Sequence, residues 1–146
     1  MRTESRTRGT LLALLVIPLA IAAWMAAWSV GFFASVVSIG VVLLALALYR
    51  WGGHVAVDGG GAARIGVISL VAIVLGLVAA LLTQVAFATA TALETDPVTA
   101  VLDEHFGDFV LLTLEDAGGP VLLAGVFALG LGALTFVRFV VPRRRH

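Results

Sequence analysis

The chain has 146 residues, of which 61% are hydrophobic and 12% charged, with mean hydropathy +1.12 and no formal net charge. A water-soluble domain carries about twice that charged fraction, so part of the solvent for this chain is lipid. It contains no cysteine, which excludes disulfides, thiolate metal sites and thiol nucleophiles.

The first apolar block runs from Thr10 to Tyr49 without a charge. As one helix it would be about 60 Å long, twice the hydrocarbon core, so it must fold back. Trp28-Ser29-Val30-Gly31 is the best break, an interfacial aromatic followed by small residues. This predicts helices over 9–28 and 30–50. An uncleaved hairpin is preferred to a cleaved signal peptide because a second span follows with almost no linker. Pro18, in mid-helix, is expected to kink the first span.

Gly52-Gly53-His54-Val55-Ala56-Val57-Asp58-Gly59-Gly60-Gly61 reads as a flexible loop. A third helix is expected over 64–88, and a fourth over 120–141 with Pro120 in its first turn. The polar groups at depth, Ser35, Ser38, Ser69, Thr83 and Gln84, are expected to bond to their own or a neighbouring helix. Small residues should supply the packing contacts: Ala13, Ala20, Ala23 and Ala27; Gly31, Ser35 and Ser38; Gly76, Ala79, Ala80 and Thr83; Gly125, Gly130 and Gly132.

All nine basic residues are Arg, and they lie at Arg2, Arg6, Arg8, Arg50, Arg64, Arg138 and Arg143–Arg145. Seven of the nine acids lie between Glu94 and Asp116, where there is no base. A bilayer segregates charge in this way. The positive-inside rule then places both termini and the Gly-rich loop in the cytoplasm of a bacterium, with 89–119 outside its plasma membrane.

Within that outer segment, Asp96-Pro97 starts a helix: Asp as N-cap, Pro at the first helical position. Val98, Val101, Leu102 and Phe106 then share one face, and Gly107 is a plausible end. The expectation is a short amphipathic helix over 97–106, apolar face toward the bundle. Glu115-Asp116-Ala117-Gly118-Gly119 reads as a turn before the last span. Asp103, Glu104, His105 and Asp108 are weak candidates for a metal site, because their spacing matches neither an EF-hand loop nor HExxH. An acidic run is usually a solvated face, and Asp103, Glu104 and Asp108 are also a candidate partner surface.

The run Leu46-Ala47-Leu48-Tyr49-Arg50-Trp51-Gly52-Gly53, followed by Ala63-Arg64-Ile65-Gly66-Val67-Ile68, resembles uncharacterised bacterial four-span membrane proteins. The resemblance covers about the middle third of the chain. It implies a topology and no activity.

The expected object is therefore all-α, a single integral-membrane four-helix bundle over 1–146 with a short amphipathic helical segment on the extracytoplasmic side between helices 3 and 4. The expected role is non-enzymatic: a small subunit or accessory factor without a cofactor, whose partners are the lipid bilayer, other membrane proteins or a second copy, and not nucleic acid. A component of a channel or transporter for an apolar or lipid-like solute is the alternative. An outer-face metal-dependent enzyme is the third.

Overall fold

A computed structural model describes residues 2–29, 34–54 and 56–141, with side chains left aside at 2–5, 28, 29, 34, 35 and 117. Six helices follow one another: α1 (Arg2–Leu14), α2 (Val16–Ser29), α3 (Ala34–Gly53), α4 (Gly59–Ala92), α5 (Pro97–Val101) and α6 (Phe106–Phe139). Four stretches are long and apolar enough to cross a membrane: Arg6–Ala27, Val36–Gly53, Gly59–Ala92 and Gly118–Phe139. The protein is an all-α, multi-pass membrane protein.

Pro18 acts as the sequence predicts. It has no N–H for the Leu14 carbonyl one turn back, and the helix breaks at Leu15, whose N–H turns to the Leu12 carbonyl at 3.1 Å. The break separates α1 from α2 inside one span. It also rotates the packing face. Ala13 and Ala20 stay buried, but Ala23 faces outward and Trp24 takes the interior position.

The antiparallel pair α3–α4 forms the centre. α1 and α2 pack on one flank of it, and α6 packs on the other. Lipid offers helices no hydrophobic reason to associate, so backbone proximity and knob-into-gap packing must supply it. Two contacts do most of this. At the basic end, α1 crosses α3 at Gly9 and Gly52: a Cβ on Gly9 would stand 2.7 Å from the Tyr49 carbonyl oxygen, and one on Gly52 3.0 Å from the Arg8 carbonyl oxygen. In mid-membrane, the fully buried Trp24 ring fills the notch left by Gly76, where a Cβ would lie 2.2 Å from Trp24 Cδ1. Of the small residues expected to pack α6, only Gly132 is closely approached: a Cβ there would stand 2.9 Å from Ile73 Cδ1. Gly125 grazes Leu77, and Gly130 meets nothing within 4 Å.

Three expected boundaries move. The Gly-rich stretch is not a flexible loop at either end: Gly52 and Gly53 belong to α3, and Gly59 opens α4. Asp58 caps α4, its Oδ1 accepting from the Gly61 N–H at 2.7 Å, and Gly59-Gly60-Gly61 are the first turn. Gly61 is required there because a Cβ would meet Tyr49 Oη at 2.8 Å. The last span begins near Pro120, at Gly118, but the helix that carries it begins earlier. α6 starts at Phe106 and runs through Glu115–Pro120 without a turn. Gly119 makes this possible, since much of the clash between a proline ring and its predecessor is with the predecessor's Cβ, and glycine has none. The amphipathic helix is shorter than 97–106: α5 stops at Val101, and Gly107 lies inside α6 rather than ending a helix. The expected break within 28–31 falls at the end of α2, and residues 30–33 lie outside the described residues.

At 34 residues each, α4 and α6 are about 51 Å long, well beyond the roughly 30 Å hydrocarbon core. The last turns of α4, the first turns of α6 and α5 between them therefore form a cap at the acidic end. α4 enters that cap through a left-handed Glu94 (φ 52°), with the Thr95 N–H bonded back to the Ala90 carbonyl at 3.0 Å. This six-to-one bond defines a Schellman end, where glycine is usual. Replacing Glu94 by Gly removes the left-handed penalty of about 1 kcal/mol or more but loosens the unfolded chain. The expected net gain is a few tenths to about 1 kcal/mol, read as a later midpoint in denaturant titration from mixed micelles.

Candidate functional site

The acidic cap holds most of the chain's acids. Asp96 opens α5: its Oδ1 accepts from the N–H groups of Val98 and Thr99, both at 3.0 Å, and its Oδ2 from the Thr99 hydroxyl. The Thr99 hydroxyl first, then the backbone donors, hold the Asp96 carboxyl below the ordinary Asp range. Asp103 ends the same helix. Its carboxylate takes the His105 N–H at 2.9 Å, a local bond that competes with continued helix.

The four candidate ligands do not converge. Asp103 Oδ1 and His105 Nδ1 stand 3.2 Å apart, and Glu104 Oε1 is 3.9 Å from the same imidazole nitrogen but 87% exposed. Asp108 lies on the first turn of α6 and makes no contact with the imidazole among those described. No group of three metal-ligating side chains occurs among the described residues. Asp103, Glu104 and His105 instead share one exposed edge.

The apolar face of α5 does not turn to the bundle. Val98 and Leu102 are 70% and 80% exposed, Val101 is half exposed, and Ala100 is the buried contact. The cause is the early stop at Asp103, which leaves a helix too short for its i+4 and i+8 positions to stack. Exposed aliphatic side chains therefore sit beside Asp103 and Glu104, while Leu111 and Leu112 are exposed on the adjoining turns of α6.

The membrane interior presents two lateral clefts. One, about 320 Å³, lies between α2 and α3 and is lined by apolar residues and Gly40. The other, about 240 Å³, lies between α3, α4 and α6, with Val42, Ser69, Ile73, Gly132 and Phe136 in its walls. Sequence patterning does not reveal either cleft, since both arise where three-dimensional packing leaves a gap. Of the expected polar helix contacts, Ser38 is fully buried beside Gly132, Thr83 donates to the Ala79 carbonyl at 2.7 Å, and Gln84 is exposed on the half of α4 nearer the acidic end. Ser35 lies on the first turn of α3, its side chain outside the described residues.

At the opposite end, Arg6 pairs with Asp58, and Arg64 Nη1 reaches the Thr10 hydroxyl at 3.5 Å. This ties the start of the first span to the start of α4. The Gly61 N–H first, and Arg6 after it, hold the Asp58 carboxyl below the ordinary Asp range. A depressed carboxylate stabilises fully above its unfolded value of about 3.9 and loses that contribution as pH falls through the lower folded value. The pair is exposed, so the effect is modest. Asp58→Asn should flatten the acid limb of the thermal-stability profile relative to wild type and leave the profile near neutral pH nearly parallel.

These features define the class: a multi-pass helical membrane protein with an acidic, partly apolar cap at one end and an arginine-bearing end at the other. Comparison with protein-family models, with curated proteins and with solved structures gives no match to this chain.

Proposed function

We propose that the chain is a non-catalytic accessory factor or small subunit of a bacterial plasma-membrane assembly, with both termini cytoplasmic and the cap outside. One observation carries this. The cap places exposed Val98 and Leu102 close in the chain to Asp103 and Glu104, on and just after α5, between two helices that extend past the hydrocarbon layer. Aliphatic side chains left bare in water, rimmed by charge, mark a surface for another protein. The segregation of arginines from acids supports the orientation.

The absence of native cysteine permits a clean topology test. A cysteine at Glu104 should react with a membrane-impermeant maleimide on intact cells, and one at Gly60 only after permeabilisation. Labelling at Gly60 from outside inverts the orientation. For the role, a protein that co-purifies stoichiometrically in mild detergent should be lost from Leu102→Glu and from the Asp103→Asn/Glu104→Gln double variant. Retention by both removes the cap from the interaction.

A second reading, a channel or transporter component for an apolar or lipid-like solute, draws on the two lateral clefts. It requires an oligomer with a continuous lumen lined by Ser, Thr and Gln. A tightly packed bundle surrounded by lipid sinks it.

A further inference from the structure

Ser69 is 97% buried, with a relative exposure of 3%, and its Oγ has no hydrogen-bond partner. That is unusual here. Thr10, Thr83, Thr91, Thr113 and Thr135 all donate to the carbonyl four residues back. Trp24 Nε1 and Thr89 Oγ1 are also buried without a partner, but neither lines a cleft. Ser69 does: it lies in the wall between α3, α4 and α6, where every other lining side chain is apolar or absent. A hydroxyl left unsatisfied in an apolar site costs on the order of 1–3 kcal/mol, and a ligand with one acceptor on an apolar chain would remove that cost.

Depth and charge narrow the ligand. Ser69 is five residues along α4 from Arg64, about 7.5 Å. The headgroup layer on each side of a bilayer is roughly 5–8 Å deep. Ser69 therefore sits at the upper edge of the hydrocarbon, where the ester carbonyls of glycerolipids lie. Each of the three helices walling the cleft carries an exposed arginine at this same end: Arg50 on α3, Arg64 on α4 and Arg138 on α6. Phe136, packed over Gly66 at 3.0 Å from where a Cβ would stand, lines the cleft at the arginine end.

We infer that this cleft binds an anionic glycerophospholipid from the leaflet on the arginine side. One acyl chain occupies the cleft, its ester carbonyl accepts the Ser69 Oγ–H once that enclosed hydroxyl rotates toward the cleft, and its phosphate lies among the arginines. The cleft between α2 and α3 has no polar atom aimed into it and serves as the internal control.

The test uses the full-length protein in nanodiscs carrying phosphatidylglycerol with a diazirine on one acyl chain, mapped by proteolysis and mass spectrometry. Cross-links should fall on the segments around Ile73 and Leu129–Ala133. They should exceed those from the phosphatidylcholine analogue several-fold, drop roughly five-fold in Ser69→Ala as one hydrogen bond is lost, and vanish in Ala133→Phe. Ala133 is exposed at the cleft mouth, so that variant fills the space without touching the core. Ala23→Phe, which fills the other cleft, should leave the labelling intact. Equal labelling by the two headgroups overturns the anionic assignment, and undiminished labelling in both Ser69→Ala and Ala133→Phe overturns the site.

Discussion

Gly76→Leu should strongly destabilise the tertiary structure in mild detergent while its helices persist. The Cβ alone would lie 2.2 Å from Trp24 Cδ1 and 2.8 Å from Cγ, and the ring is buried on all sides and cannot step back. The expected cost is above about 3 kcal/mol, at the top of the overpacking range. Trp24→Ala should cost at least about 3 kcal/mol by the opposite route, a void in the bundle. The two changes occupy the same space, so the double variant should be less destabilised than the sum of the single ones. The measurement is the denaturant midpoint of the wild type, both single variants and the double variant. Strict additivity would mean that the ring and the notch do not meet. Gly130→Leu is the control, since nothing lies within 4 Å of that position.

Gly9→Ala should be destabilising by about 1–3 kcal/mol, although alanine is the better helix former by about 1 kcal/mol. The obstruction is backbone: the Tyr49 carbonyl oxygen at 2.7 Å and the Gly53 nitrogen at 3.3 Å. A side chain can rotate away, but a carbonyl in a helix can move only with its helix. α1 and α3 must therefore separate. Gly40→Ala, on α3 with no atom within 4 Å, should show the reverse sign and gain up to about 1 kcal/mol. The difference between the two glycines, read as opposite shifts in thermal midpoint in one detergent, measures the crossing. If both substitutions stabilise, the close approach at Gly9 is not made.

Neither of these contacts can be read from the sequence. Trp24 and Gly76 are 52 positions apart, and no periodicity pairs a particular ring with a particular gap. The spans are different. Their number follows from length and hydropathy, the break near Pro18 from a missing N–H, and the start of α5 at Asp96-Pro97 from capping chemistry. Helix ends are less legible: the starts of α4 and α6 lie outside the expected ones, while α5 ends before its expected one. Gly59-Gly60-Gly61 and Gly118-Gly119-Pro120 look like breakers because in water an opened turn finds solvent partners. Near lipid the backbone has no such alternative, so glycine and proline stay helical. The candidate site shows the converse. Asp103, Glu104, His105 and Asp108 lie close in sequence, in a spacing that matches no metal-binding pattern, so the sequence offers them only as weak ligands. The Asp103 carboxylate instead takes the His105 backbone N–H, and the helix that would have stacked these side chains ends there.

The flanking position of α6 gives the bundle an order in time. The first three spans contain the Gly9–Gly52 crossing, the Arg6–Asp58 tie and the Trp24 knob. They complete one another's closest contacts using residues before Ala92. Synthesis proceeds from the N-terminus at a pace slow against local folding. The three-span unit is therefore a finished docking platform before the last helix is made. α6 arrives as a latecomer and docks with Ala128, Gly132 and Thr135 against a surface that α3 and α4 have already formed.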